Sequence, residues 1–320
     1  MASENLGVNA GLLAAAALMI DYVLVVAVGI SAGVGALISA IPKWQPYTLT
    51  LCLATLALLT LINLRGVRDT GAVFLLPTYL FVVCLGLVIG LGIWKALLAG
   101  GHPVPVVAPP KMHSAVESAG LWLLLRAFSS GCTAMTGVEA VSNGARNFAE
   151  PRTKHAQQTL ITIIGILIVL LIGVAVLCRA YGIAATVPGQ SGYESVLSQL
   201  TAAIAGKSWF YDLTIGSILL VLALQANTSF ADFPNVCRAI AENGYLPRGF
   251  ANRGRRLVYS HGIYVLVFLS AVILLLFGGV TDRLIPLFAV GAFLAFTLAG
   301  RDGGSRETDR RASRAQEHAH

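Results

Sequence analysis

The chain has 320 residues, enough for one large core or two small ones, yet 56% are hydrophobic and only 12% charged, where soluble domains carry roughly one quarter charged residues. Mean hydropathy is +0.77, and the apolar residues come in blocks near the roughly 20 residues that span a bilayer as helix, which excludes a soluble enzyme or binding module. A net charge of +7 would suit a nucleic-acid surface, but the basic residues sit in the short stretches between apolar blocks and in the tail, the places that set membrane orientation; no nucleic-acid partner is expected.

Eight membrane helices are predicted, over approximately 10–40, 48–64, 72–96, 119–143, 158–181, 209–232, 259–278 and 284–300. The first contains "ALMIDYVLVVAVGISAG", with Asp21 about a dozen residues in; at 1.5 Å per residue that is roughly 18 Å, close to the midplane. Tyr22 follows it and points about 100° away, either lining the same space or packing. The second helix and the last are short. The loop 97–118 is rich in Pro and Gly and is read as irregular.

The fourth helix carries Glu139 within "SSGCTAMTGVEAVSNG", residues 129–144, beside Gly131, Gly137, Gly144 and several hydroxyls, Thr136 among them. A helix so interrupted is a candidate for local unwinding, and freed carbonyls are tolerated at membrane depth only where they line a cavity or bind something. The first and fourth helices are both long, so each must tilt, bend or break. The sixth ends in "LQANTSFADFPN", where Thr228 and Ser229 form a polar patch that serves either as interhelical packing or as a weaker binding candidate.

With Met1 on the cytoplasmic side, 15 Lys and Arg residues fall on inner loops and the tail and seven on outer positions, a positive-inside bias. Both termini are therefore expected in the cytoplasm. The five cysteines make no CxxC or metal-ligand spacing and read as apolar fillers. No cleavable signal peptide is read at the start, which carries Glu4 and no positive charge. Residues 301–320 are uniformly polar and Arg-rich and are read as a disordered cytoplasmic tail.

Asp21 and Glu139 dominate the chemistry. A carboxylate in low dielectric must be paired, bind a cation or take up a proton. One reading makes both acids structural, hydrogen-bonded to neighbouring helices. The other makes them functional, the default for intramembrane acids: they share one desolvated cation, or one binds the cation while the other carries a proton. No Lys or Arg lies deep enough to be their evident partner; Arg126, nearer the outer end, is the one candidate.

The stretches "ENLGVNAGLLAAAALMIDYVLVVAVGISAG", "FSSGCTAMTGVEAVSNGARNFAEPR", "NTSFADFPNVCRAIAENGYLPRGFANRGRRLVYSHGI" and "FGGVTDRLIPLFAVGAFLAFTL" resemble permeases of the amino acid–polyamine–organocation superfamily, most closely the bacterial branch of proton-coupled potassium importers. The resemblance runs from residue 1 to about 299. It implies an all-α polytopic membrane fold, a partial inverted repeat of five plus five helices in which the eight spans match the plan's third to tenth. Residues 1–300 would be the permease domain. It also implies that Asp21, Tyr22, Thr136 and Glu139 bind the cation, with potassium held between Asp21 and Glu139. Helices matching the plan's first two and last two have no counterpart here, so the sequence is read as a truncated product, a split gene or a frameshifted reading. No cofactor is implied; potassium and the proton are the transported species. The expected setting is the bacterial plasma membrane, with the lipid bilayer and, as one option, a homodimer as partners. The implied function is potassium uptake by potassium–proton symport rather than enzymatic catalysis. Proton-coupled amino acid uptake and an inactive fragment or structural subunit are the alternatives.

Overall fold

The computed structural model describes residues 8–65, 71–110, 120–132, 152–186, 188, 192–251 and 259–290. The regular elements among them are all helical. They are α1 (Val8–Ala40), α2 (Thr48–Leu64), α3 (Gly71–Leu98), α4 (Leu121–Cys132), α5 (Arg152–Tyr181), α6 (Val196–Ala205), α7 (Trp209–Glu242) and α8 (Ser260–Phe277), followed by α9 over 281–290. Among the described residues six helices, α1, α2, α3, α5, α7 and α8, are long and apolar enough to cross a membrane. α1 runs unbroken for 33 residues, about 50 Å of helix, so it must tilt or protrude from a hydrocarbon layer of about 30 Å.

Helix ends follow local chemistry. Pro42 and Pro46 confine the link after α1 to a tight 3-10 turn, and Thr48 starts α2 by donating to the Gln45 carbonyl at 2.6 Å. α6 begins where the Ser195 hydroxyl accepts from the Ser198 amide at 3.3 Å, an N-cap in the usual sense. α8 stops at Gly278, whose φ of 67° suits the left-handed cap.

The helices pack as two groups. α1, α2, α7 and α8 share a core built on Val26, Val34, Leu56, Phe233 and Leu266. α3, α5 and α6 share a second, around Val88, Leu177, Leu200 and Ile204. Ala36 of α1, Ala202 of α6 and Tyr211 of α7 join the two. The α1–α7 contact is the most extensive among the described helices, and glycine permits it: a Cβ at position 29 would lie 3.2 Å from the Leu222 carbonyl oxygen, and one at 33 would lie 3.3 Å from Leu219 Cδ1. Two small residues four apart, facing a partner backbone, are a general device for close helix approach in lipid.

Two elements depart from the sequence reading. α7 continues through Pro234 to Glu242, beyond the expected end at 232, so much of the region read as loop is helix. Phe233, Cys237 and Ala241 are all buried; their four-residue spacing puts them on one face, and that burial outweighs the hydrogen bond Pro234 cannot make. α6 was not anticipated, being too short to span a bilayer. Ser198 through Ile204 are buried throughout, so tertiary packing holds it. The loop after α3 is irregular over its described part and is tied to α6 through a Val106 N–H to Ala203 carbonyl bond of 2.8 Å. The second half of the fourth predicted span, most of the eighth and the whole tail lie outside the described residues.

Candidate ion site

Asp21 lies in the interior of α1 and is only 5% exposed. Its surroundings follow from which faces of α1 meet which helices. Val23 and Val26 join the core that holds Ala226, Phe230 and Phe233 of α7. Leu24 and Val25 cluster with Phe288 of α9, and the Val23 carbonyl accepts from Ser270 of α8 at 3.4 Å. Three helices thus close around this stretch of α1, and water has little access to the carboxylate. Tyr22 is half-buried and packs against the main core.

The helix register adds a second acid. α1 and α7 run antiparallel, with Gly29 against Leu222 and Ala226 and Gly33 against Leu219 and Leu222. Two turns before Gly29, about 12 Å along the axis, Asp21 comes level with the stretch of α7 that holds Phe230 to Phe233. Asp232 lies in that stretch and is exposed at the surface of the described helices. The predicted sixth span, 209–232, left Asp232 at its very end, and the residue was not singled out.

A polar contact between helices also escaped the sequence reading. The Asn63 amide donates to the Asn227 side-chain oxygen and to the Leu59 carbonyl, the latter at 2.8 Å. Asn227 is 7% exposed. The pair joins α2 to α7 about a turn and a half from the Asp21 level, and 164 positions separate the partners in sequence. The signal available was an amide in each of two apolar segments, a combination that usually forms interhelical hydrogen bonds.

The weaker candidates separate. Ser229 is fully buried, and its Oγ has no hydrogen-bond partner among the described residues. Thr228 is exposed and donates back to the Gln225 carbonyl at 2.7 Å, ordinary back-bonding within a helix. Thr136 and Glu139 lie outside the described residues. The described structure therefore places Asp21, Tyr22, Asn227 and Ser229 at neighbouring depths on two helices in direct contact, with Asn227 turned to α2 and Ser229, two residues on, pointing about 200° away from it.

A family model described as amino acid permease matches residues 1–300. The potassium transporter KimA of Bacillus subtilis (strain 168) is 41% identical over 300 residues, a match that covers 93% of this chain and 48% of that protein. The chain spans about half the length of the curated relative it matches.

Proposed function

The chain belongs to the amino acid permease family, whose members are multi-pass membrane transporters rather than enzymes, and on that premise we propose that it forms the cation-binding part of a potassium–proton symporter. The observation that carries this reading is Asp21, a carboxylate 5% exposed inside an apolar helix. Such a group stays charged only where a cation or hydrogen-bond donors stabilise it, and otherwise takes a proton, which makes it a natural cation or proton carrier. The identity to a potassium transporter supports potassium as the cation.

Symport requires more than one acid. If a single carboxylate accepted either a proton or a potassium ion, the two would displace each other, and the device would exchange them. Carrying both in the same direction needs two groups, one for each. Asp21 with Tyr22 as cation ligands, and Glu139 with Thr136 contributed by the fourth predicted span, provide that division. Potassium favours oxygen ligands, and carboxylate, phenol and hydroxyl oxygens are what these residues offer. Ser229 is a further oxygen within this zone.

The charge bias supports both termini on the cytoplasmic side; the family resemblance supports a bacterial plasma membrane, with the lipid bilayer as the constant partner, a homodimer as an option, and no bound cofactor proposed. The description of the family model as amino acid permease favours a second reading, proton-coupled amino acid uptake. Two acids within predicted membrane spans, Asp21 and Glu139, weigh against it, because they would repel a substrate carboxylate.

The test is rubidium uptake into potassium-starved bacterial cells that lack their own high-affinity potassium uptake and express this chain. The expected result is saturable uptake that a protonophore abolishes, reduced at least tenfold by Asp21→Asn and unaffected by excess amino acids. Amino acid uptake that survives Asp21→Asn, with no rubidium uptake, would overturn the potassium reading.

A further inference from the structure

A small space with several polar side chains in an otherwise apolar lining lies toward the far end of α1. It is a void of about 20 Å³, with Ser31, Gln45, Thr48, Tyr193 and Thr281 among its lining residues. That is room for one water molecule or one small ion. The void is walled by α1, the turn after it, the loop before α6 and the start of α9. Ser31 lies ten residues beyond Asp21 on α1, about 15 Å along the axis.

The hydrogen bonds around this void fix its polarity. Ser31 Oγ donates to the Val28 carbonyl at 3.0 Å, and Thr48 Oγ1 donates to the Gln45 carbonyl at 2.6 Å. A carbonyl can only accept, so each hydroxyl has committed its proton. Thr281 Oγ1 lies 3.2 Å from Ser31 Oγ; with the Ser31 proton already placed, Thr281 must be the donor there. Three hydroxyls have thus spent their protons and offer the void lone pairs, as a cation requires; the Gln45 amide and the Tyr193 phenol in the same lining carry acceptor oxygens as well as donors. Asp282 adjoins Thr281 and interacts electrostatically with Tyr193. The nearby cations of Lys43 and Arg283 are exposed and are not among the lining residues.

The wall is built rather than incidental. The Tyr193 hydroxyl would lie 3.3 Å from a Cβ at position 35, so Gly35 lets the phenol rest on the α1 backbone. The Ser195 amide donates to Ser39 Oγ at 2.8 Å, and Thr186 Oγ1 both donates to the Glu194 carbonyl at 2.7 Å and accepts from its amide at 3.0 Å. These bonds latch the loop before α6 onto the end of α1.

We propose that this chamber is a second cation station, in which the oxygens of Ser31, Thr48 and Thr281 hold a largely dehydrated monovalent cation on the outer side of the Asp21 site. The assignment rests on the transport reading and on the orientation given above. It makes α1 a rail with an entry point near Ser31 and a deep site near Asp21.

Crystals of the full chain soaked in thallium(I), a heavy analogue of potassium, test this directly. The expected result is an anomalous peak in the chamber that Thr281→Val or Thr48→Val removes while a peak near Asp21 persists, together with a rise of threefold or more in the rubidium KM of these near-isosteric variants. A peak at Asp21 with none in the chamber would overturn the second station and leave the transport reading standing. A chamber peak unchanged in both variants would also overturn it, because the named oxygens would not be the ligands. No peak at either place, together with no rubidium uptake, would sink both.

Discussion

Replacing Gly262 by alanine isolates one helix contact. A Cβ at position 262 would fall 2.8 Å from the Pro234 Cα and 2.9 Å from its Cβ, where ordinary contact begins at 3.4 Å. Neither atom belongs to a flexible side chain, so α8 and α7 must separate by more than half an ångström at a core contact. Overpacking of this kind costs about 1–3 kcal/mol, while removing a helical glycine returns at most about 1 kcal/mol. The expected net loss is about 0.5–2 kcal/mol, which lowers the melting temperature by about 1–6 °C. Gly86 of α3 is the matched control, since a Cβ there meets nothing within 4 Å among the described residues, and Gly86→Ala should gain about 0.5–1 kcal/mol. Thermal unfolding of the detergent-purified variants, followed by the loss of the monodisperse elution peak, measures the difference. If Gly262→Ala proved as stable as Gly86→Ala, the packing of α8 on Pro234 would not be the constraint described.

Other outcomes follow from the polar groups. Asn63→Leu and Asn227→Leu should each lose about 0.5–2 kcal/mol, because each leaves the other amide without its cross-helix partner; the double variant should lose less than the two together, as read in a double-mutant cycle of unfolding free energies. Ser229→Ala should leave stability within about 0.5 kcal/mol of the parent, since it removes a hydroxyl that makes no bond among the described residues; a loss of rubidium affinity without loss of stability would place Ser229 among the cation ligands. Tyr193 has its phenol raised above the usual 10.0, first by burial and then by the Asp282 charge. The folded state thus keeps this proton after the unfolded chain releases it. The corresponding stability is complete below pH 10 and falls as pH rises above it. Tyr193→Phe should flatten that alkaline fall, and Asp282→Asn should flatten it partly, in unfolding measured between pH 9 and pH 11.

The two acids show what linear order reveals. Asp21 was legible because a carboxylate inside an apolar run stands out without knowledge of its neighbours; desolvation makes any such residue conspicuous. Asp232 was not, because the predicted span ended at 232 and left it at a membrane border. The helix runs on for a tertiary reason: Phe233, Cys237 and Ala241 are buried, and their packing carries α7 past Pro234. The Asn63–Asn227 pair, the wall around Ser31 and the buried α6 likewise join residues that no sequence window contains together.

The sequence by itself determined that this is an all-helical, multi-pass membrane protein, roughly where its long helices lie, and that an acid sits deep in the first. Lipid enforces this, because a backbone crossing it must satisfy its own hydrogen bonds, and long apolar blocks leave helix as the available answer. Only the tertiary structure decided which helices touch, how closely, and which polar side chains meet. Inside a bilayer apolar side chains gain little by leaving lipid for one another, so helix pairing is set by shape and by hydrogen bonds between distant residues. Gly29 against the Leu222 carbonyl and Asn63 against Asn227 are the two instances that fix the position of α7 beside α1 and α2.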